Sequence, residues 1–189
     1  DAVRLHCPAP RGDLGARLGS DNLARLLADF GLLAQPDLPL TLPEEAALAI
    51  DDPALAALGQ ETLTVTPLQV GLALAALGSG GQLPAPQLVT AVQSPDGAWQ
   101  PTDPPADPQT AVSPAAAARI VQVLPTSDDI RENRVLVVAG PDGATNAWYL
   151  ALYPTSQPQF ALVIVLEEQT DLTAVTEIGR SFLQTLPDT

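Results

Sequence analysis

The sequence predicts an α+β domain: an antiparallel sheet, centred on a C-terminal three-strand meander, packed with helices. Residues 135–139, 147–153 and 160–166 are apolar runs rich in β-branched and aromatic side chains. The stretches between them, Pro141-Asp142-Gly143 and 154–158, are turns by composition and too short for a crossover helix, which makes the strands antiparallel. The runs are almost continuously apolar, so both sheet faces are expected to be covered. The helical observation is twofold. Residues 68–77 are apolar nearly all round, the mark of a buried helix, and 172–186 carries Val175, Ile178, Phe182 and Leu186 along one stripe.

From the N-terminus, the prolines of His6-Cys7-Pro8-Ala9-Pro10-Arg11-Gly12 are expected to forbid a regular helix. Ser20 or Asp21 can cap the next element, in which Leu23, Leu26, Leu27 and Phe30 fall at helical spacing and Gly31 is the stop. Residues 35–43 read as extended. Pro43-Glu44-Glu45 opens a short helix whose carboxylates suit its first turn, and Asp51-Asp52-Pro53 breaks it. Thr66 caps the central helix through its hydroxyl, Pro67 sits where a missing N–H costs nothing, and Gly78, Gly80 and Gly81 end it. Residues 82–92 are extended, with a short strand predicted at their end. Ser94-Pro95-Asp96-Gly97 is a turn, and about 97–112 is a proline-rich surface loop. Ser113-Pro114 caps a helix to about residue 124, ended by Pro125. Residues 126–133 read as a polar, acidic connection into the meander.

At 189 residues and 46% hydrophobic composition, the chain is expected to be one globular domain, 1–189, able to bury a core. The net charge of −14 speaks against nucleic acid and anionic lipid as partners, because phosphate binding needs clustered cations. All 8 basic residues are arginine, and lysine is absent. No stretch approaches the roughly 20 apolar residues of a membrane span, so membrane attachment is expected only through an anchor outside this chain. The start at Asp1, without methionine or signal peptide, reads as cut or processed. Cys7 is a lone cysteine and leaves the redox compartment open. His6 is a lone histidine and makes no zinc site by itself. Neighbours in an extended chain point to opposite sides, so His6 and Cys7 do not read as a dyad. Ser79, within Gly78-Ser79-Gly80-Gly81, reads as a helix stop rather than a nucleophile. Trp148 is expected to pack on the sheet, whereas Trp99 lies in a polar loop.

Several of these segments resemble one family. Gly59-Gln60, a short spacer, Val65-Thr66-Pro67-Leu68-Gln69, an alanine-rich helix and Gly80-Gly81 resemble the middle of the transpeptidase domain of penicillin-binding proteins. Asn146-Ala147-Trp148-Tyr149 and Gln157-Pro158-Gln159-Phe160 with the run after it resemble that family's paired late strands, and 14–31 resembles the helix after its Ser-x-Asn motif. The likeness covers roughly residues 6 to 167. It implies a truncated β-lactamase/transpeptidase-like fold, with two further strands and the nucleophile's helix contributed by an upstream half.

In that family a serine attacks a peptide or β-lactam carbonyl, a lysine three residues on takes its proton, and Ser-x-Asn and Lys-Thr/Ser-Gly elements position the substrate. Without lysine this chain cannot hold Ser-x-x-Lys. His6 and Pro8 stand where the resemblance puts the serine and asparagine of Ser-x-Asn. Pro141, Asp142 and Gly143 stand where it puts Lys-Thr/Ser-Gly, and Asp142 places a negative charge where the family receives a substrate carboxylate. The reading that follows is a domain that is not an enzyme. It has no catalytic residue, cofactor or metal, a vestigial groove at His6, Pro8, Pro141, Asp142 and Gly143, and a binding or scaffolding role in cell-wall (peptidoglycan) assembly. Its partners would be cell-wall machinery proteins or a peptidoglycan-type ligand, its place extracytoplasmic, and a homo-oligomer is compatible with it. The alternative is the C-terminal part of an active serine D,D-transpeptidase or carboxypeptidase whose nucleophile half lies outside this chain. A third reading is a ligand-binding module that reuses the old groove.

Overall fold

The structure, a computed structural model, describes residues 8–38, 50–60, 63–139 and 143–186. It opens with α1 (Pro8–Leu18) and α2 (Ser20–Asp29). The prolines at 8 and 10 were expected to prevent a helix, yet they begin one. Both fall in the first turn, where backbone N–H groups have no intrahelical partner and a fixed φ suits the helix. Gly19, at φ 76°, separates the two helices and is the N-cap of α2 without a side-chain cap. Leu23 is buried, and Gly31 at φ 71° follows the helix as expected. The short helix expected from Pro43 lies outside the described residues. The breaker Asp51-Asp52-Pro53 is a helix start instead: Asp52 caps α3 (Pro53–Ala56), accepting from the N–H of Ala54 at 2.8 Å.

The central helix α4 (Pro67–Gly78) begins as its sequence predicts. The Thr66 hydroxyl accepts from the Gln69 N–H at 3.2 Å, and Gln69 Oε1 accepts from the Thr66 N–H at 2.8 Å. This closes a capping box. Gln69 is fully buried and its amide also donates to the Ala34 carbonyl at 3.0 Å, tying α4 to the segment after α2. Burial of α4 is less complete than expected. Gln69, Leu74 and Ala76 are buried, while Leu68 is exposed. Ser79 forms the C-cap, its hydroxyl donating to the carbonyls of Ala75 at 2.8 Å and Gln82 at 2.6 Å.

The proline-rich stretch is more ordered than a loop. Strands β1 (Gln82–Leu83), β2 (Ala91–Gln93), β3 (Trp99–Pro101) and β4 (Gln109–Thr110) form two antiparallel pairs, β1 with β4 and β2 with β3. The Ser94–Gly97 turn closes the second pair, with Gly97 at φ 87°. The prolines tolerate this because both sheets have only two strands and so only edges. Helix α5 (Pro114–Val123) follows its Ser113 cap.

The main sheet has four strands in the order β5 (Thr126–Ser127), β6 (Ile130–Ala139), β7 (Ala144–Tyr153) and β8 (Phe160–Leu166), all antiparallel. The polar connection expected at 126–133 is in fact a hairpin. Asp128 and Asp129 both hold positive φ, 46° and 63°, between the paired Ser127 and Ile130, the backbone that a two-residue type I′ hairpin requires. Helix α6 (Leu172–Leu183), capped by Asp171, lies on one face of this sheet, and α4 lies on the other. Ala147, Tyr149 and Ala151 point to α6 and join Ile130, Val175 and Leu183 in the core. The predicted stripe of α6 is displaced. Val175, Thr176, Gly179 and Leu183 are buried, while Ile178 and Phe182 are 48% and 50% exposed. Gly179 is the reason: a Cβ there would lie 2.2 Å from Tyr149 Cε1, so the bare backbone takes the ring and turns the helix about it.

Candidate functional site

The groove positions read from sequence are only partly within view. His6, Pro141 and Asp142 lie outside the described residues. Pro8 is the exposed first residue of α1. Gly143, at φ 66°, leads from the β6–β7 connection into β7, and Val138 beside that connection is 69% exposed. Trp148 is buried as expected, its indole N–H without a hydrogen-bond acceptor. Trp99 is exposed on β3.

The polar arrangement with the strongest internal chemistry lies elsewhere, between β6, β7 and α6. Strand alternation turns Glu132 toward α6, and the β6–β7 register sets Arg134 opposite Tyr149. One helical turn past Thr176, Arg180 reaches down to the carboxylate. Its Nε donates to Glu132 Oε2 at 3.0 Å, and its Nη2 donates to Glu132 Oε1 in a forked ion pair. The Tyr149 hydroxyl donates to Glu132 Oε2 at 2.8 Å. Glu132 is 7% exposed. Burial alone would raise its carboxyl, but the hydrogen bonds from Arg180 and Tyr149 outweigh it and hold the group below the usual carboxylate range. Burial, and then the neighbouring carboxylate, push the Tyr149 phenol well above its ordinary value.

These groups line a cavity of about 250 Å³ with Ser127 and Asn133 at its side. Both Glu132 oxygens are engaged and Tyr149 stays protonated at neutral pH, so the cluster offers neither a free base nor an acid. It clamps α6 to the sheet. No sequence pattern marks it, because Glu132 and Arg180 are 48 positions apart and Glu132 reads locally as part of a polar connection. Among the described residues, no group of three His, Cys, Asp or Glu side chains could hold a metal ion. No helix among them is long and apolar enough to cross a membrane.

Comparison with known proteins places this geometry. The peptidoglycan D,D-transpeptidase PbpA of Mycolicibacterium smegmatis is 26% identical over 195 residues, which is 93% of this chain and 40% of that protein. The penicillin G acyl-enzyme complex of penicillin-binding protein A from Mycobacterium tuberculosis superposes with a TM-score of 0.86 at 27% identity, covering 97% of this chain and 47% of that one. Its imipenem acyl-enzyme complex gives a TM-score of 0.85. The chain therefore spans about half the length, or less, of the relatives it matches. These relatives correct the sequence reading of a domain that is not an enzyme: the first is named a D,D-transpeptidase, and the M. tuberculosis protein is seen as penicillin G and imipenem acyl-enzymes. Of the replacements behind that reading, His6, Pro141 and Asp142 fall outside the described residues and Pro8 is the exposed start of α1, and a missing lysine in half a relative's length says nothing of the other half. The penicillin binding protein transpeptidase domain is matched across residues 12–134, more than half of the sequence, and the chain belongs to that family.

Proposed function

We propose that this chain is the C-terminal portion of a serine D,D-transpeptidase acting in peptidoglycan synthesis, with the nucleophile supplied by a part of the protein outside it. The observation that carries the reading is the likeness to a penicillin acyl-enzyme over 97% of this chain but only 47% of the matched one. The chemistry agrees. An acyl-enzyme needs a nucleophile whose proton is taken by an adjacent base, and a chain without lysine cannot supply the serine–lysine pair of this family. What it does supply is the frame: a four-stranded sheet held between α4 and α6. The same reading puts the protein outside the cytoplasmic membrane, among the proteins of cell-wall assembly.

The test is turnover by the full-length protein of a peptide ending in two D-amino acids. Release of the terminal D-amino acid, abolished by replacing the serine of an upstream Ser-x-x-Lys, is the expected outcome. No release, and no transfer to an amine acceptor, would overturn the reading.

A further inference from the structure

The hairpin of β2 and β3 stands apart from the rest of the fold. Neither strand packs broadly on another helix or strand among the described residues, and the pair forms a sheet of its own. A two-stranded hairpin alone is only marginally stable in water, yet both faces of this one show large apolar side chains. Trp99 is 68% exposed. Val92, 55% exposed, points to the other face, because Trp99 lies opposite Gln93 and Val92 lies opposite Gln100. The two outer edges differ. The Ser94 N–H donates to the Ala98 carbonyl at 2.9 Å and the Thr102 N–H to the Thr90 carbonyl at 3.0 Å, so residues 90, 92 and 94 turn their backbone groups inward to β3. Ala91 and Gln93 turn theirs outward, where no described strand meets them. On β3 the outward residues are Trp99 and Pro101, and Pro101 has no N–H to offer. The β2 edge is therefore open to a further strand, and the β3 edge is partly blocked. Charge at the arm has one sign. Asp96 lies in its turn, Asp103 and Asp107 follow β3, all three are exposed, and no lysine or arginine occurs between Arg25 and Arg119.

We infer that the outer edge of β2 takes an extended segment of a basic protein partner as a third strand. Backbone hydrogen bonds to Ala91 and Gln93 supply the affinity of such an addition, and the side chains on either face supply its selectivity. Trp99 and Val92 provide an apolar surface on each face, and an exposed indole also attracts a guanidinium or ammonium group. Opposite charge speeds the encounter and selects the partner. A second copy of this chain fits worse, because it brings its own net charge of −14 to an acidic arm, and an anionic membrane is repelled for the same reason. This docking does not depend on the proposed activity.

The test is titration of the full-length protein with a short labelled peptide alternating arginine and valine, read by fluorescence anisotropy and by hydrogen exchange of the amides of residues 91 and 93. The controls are the same peptide N-methylated at every amide, which cannot pair as a strand, and the peptide with glutamate in place of arginine. Ala91→Pro removes an outward N–H without touching the bonds inside the hairpin, and Trp99→Ser removes the indole. Phe182→Ser removes an exposed ring outside the arm. Thermal melting checks that all three variants fold. The expected result is binding of the arginine peptide with slowed exchange of both amides, weakened about tenfold by Ala91→Pro and by Trp99→Ser and unchanged by Phe182→Ser. The methylated and glutamate peptides are expected not to bind. Equal weakening in all three variants, undiminished binding of the methylated peptide, or no binding would overturn the inference. Slow exchange of the two amides before peptide is added would mean that the rest of the protein already covers this edge, and would overturn it too. A dimer of the full-length protein abolished by Ala91→Pro would replace the basic partner with a second copy.

Discussion

Glu132 is a buried carboxylate whose stability contribution depends on both Arg180 and Tyr149. Removing it leaves a guanidinium and a phenol facing an unfilled space. Glu132→Ala is expected to cost about 2 kcal/mol of unfolding free energy in denaturant titration. That is less than the roughly 3–5 of a fully buried broken pair, because Arg180 is 36% exposed and water screens it. Tyr149→Phe removes one hydrogen bond to a charged group and is expected to cost about 1.5 kcal/mol. The clamp also has a pH signature. The Glu132 carboxyl is held below its ordinary 4.5, so as pH falls the unfolded chain takes up this proton before the folded one. Its stabilisation is complete above pH 4.5 and disappears as pH falls through the lower folded value. Tyr149 is shifted upward, so its contribution is complete below pH 10.0 and is lost as pH rises beyond that. Stability measured from pH 6 down to pH 2 is expected to fall more steeply in the wild type than in Glu132→Gln. Parallel curves would remove the carboxylate from the account.

At the scale of elements, the sequence is most legible where local chemistry decides. The Thr66-Pro67 start and glycine stop of α4, the Ser113 cap of α5 and the runs of β7 and β8 all stand where composition put them. It is least legible where a turn or a crossing is decided by a partner. Asp128 and Asp129 read as a polar connection because carboxylates are common in loops; adjacent residues able to hold positive φ were the missed hairpin signal. The short strand expected at the end of 82–92 is β2, but β3 and β4 were missed because a proline-rich stretch reads as a loop, and proline does not break a strand on the edge of a two-stranded sheet. The α6 stripe was misplaced because periodicity counts apolar residues and cannot see that a glycine is the packing surface. Gly179→Ala therefore tests the packing. With its Cβ set 2.2 Å from the Tyr149 ring, it is expected to destabilise by about 3 kcal/mol or more. Phe182→Ala, at a side chain that is 50% exposed, is expected to cost under about 1 kcal/mol. The reverse ranking would restore the stripe read from sequence.

At the scale of the whole molecule, the family and the α+β class were readable from the ordered segments around α4 and the late strands. Catalysis was not. The sequence argument weighed residue replacements within one chain, but acyl transfer by a serine and its base is a property of groups brought together from across a whole protein. Of the groove positions proposed from sequence, only Pro8 and Gly143 are described, at the start of α1 and at the entry to β7. The Glu132 clamp, which no motif announces, holds α6 against the sheet and keeps the frame rigid on that face.

The most direct measurement is intact-mass spectrometry of the full-length protein after incubation with penicillin G and imipenem, followed by peptide mapping. The account predicts one covalent adduct, of the mass of the opened β-lactam, on a serine outside the 189 residues described by this sequence. No adduct with either compound, or an adduct on a residue within this chain, would contradict it.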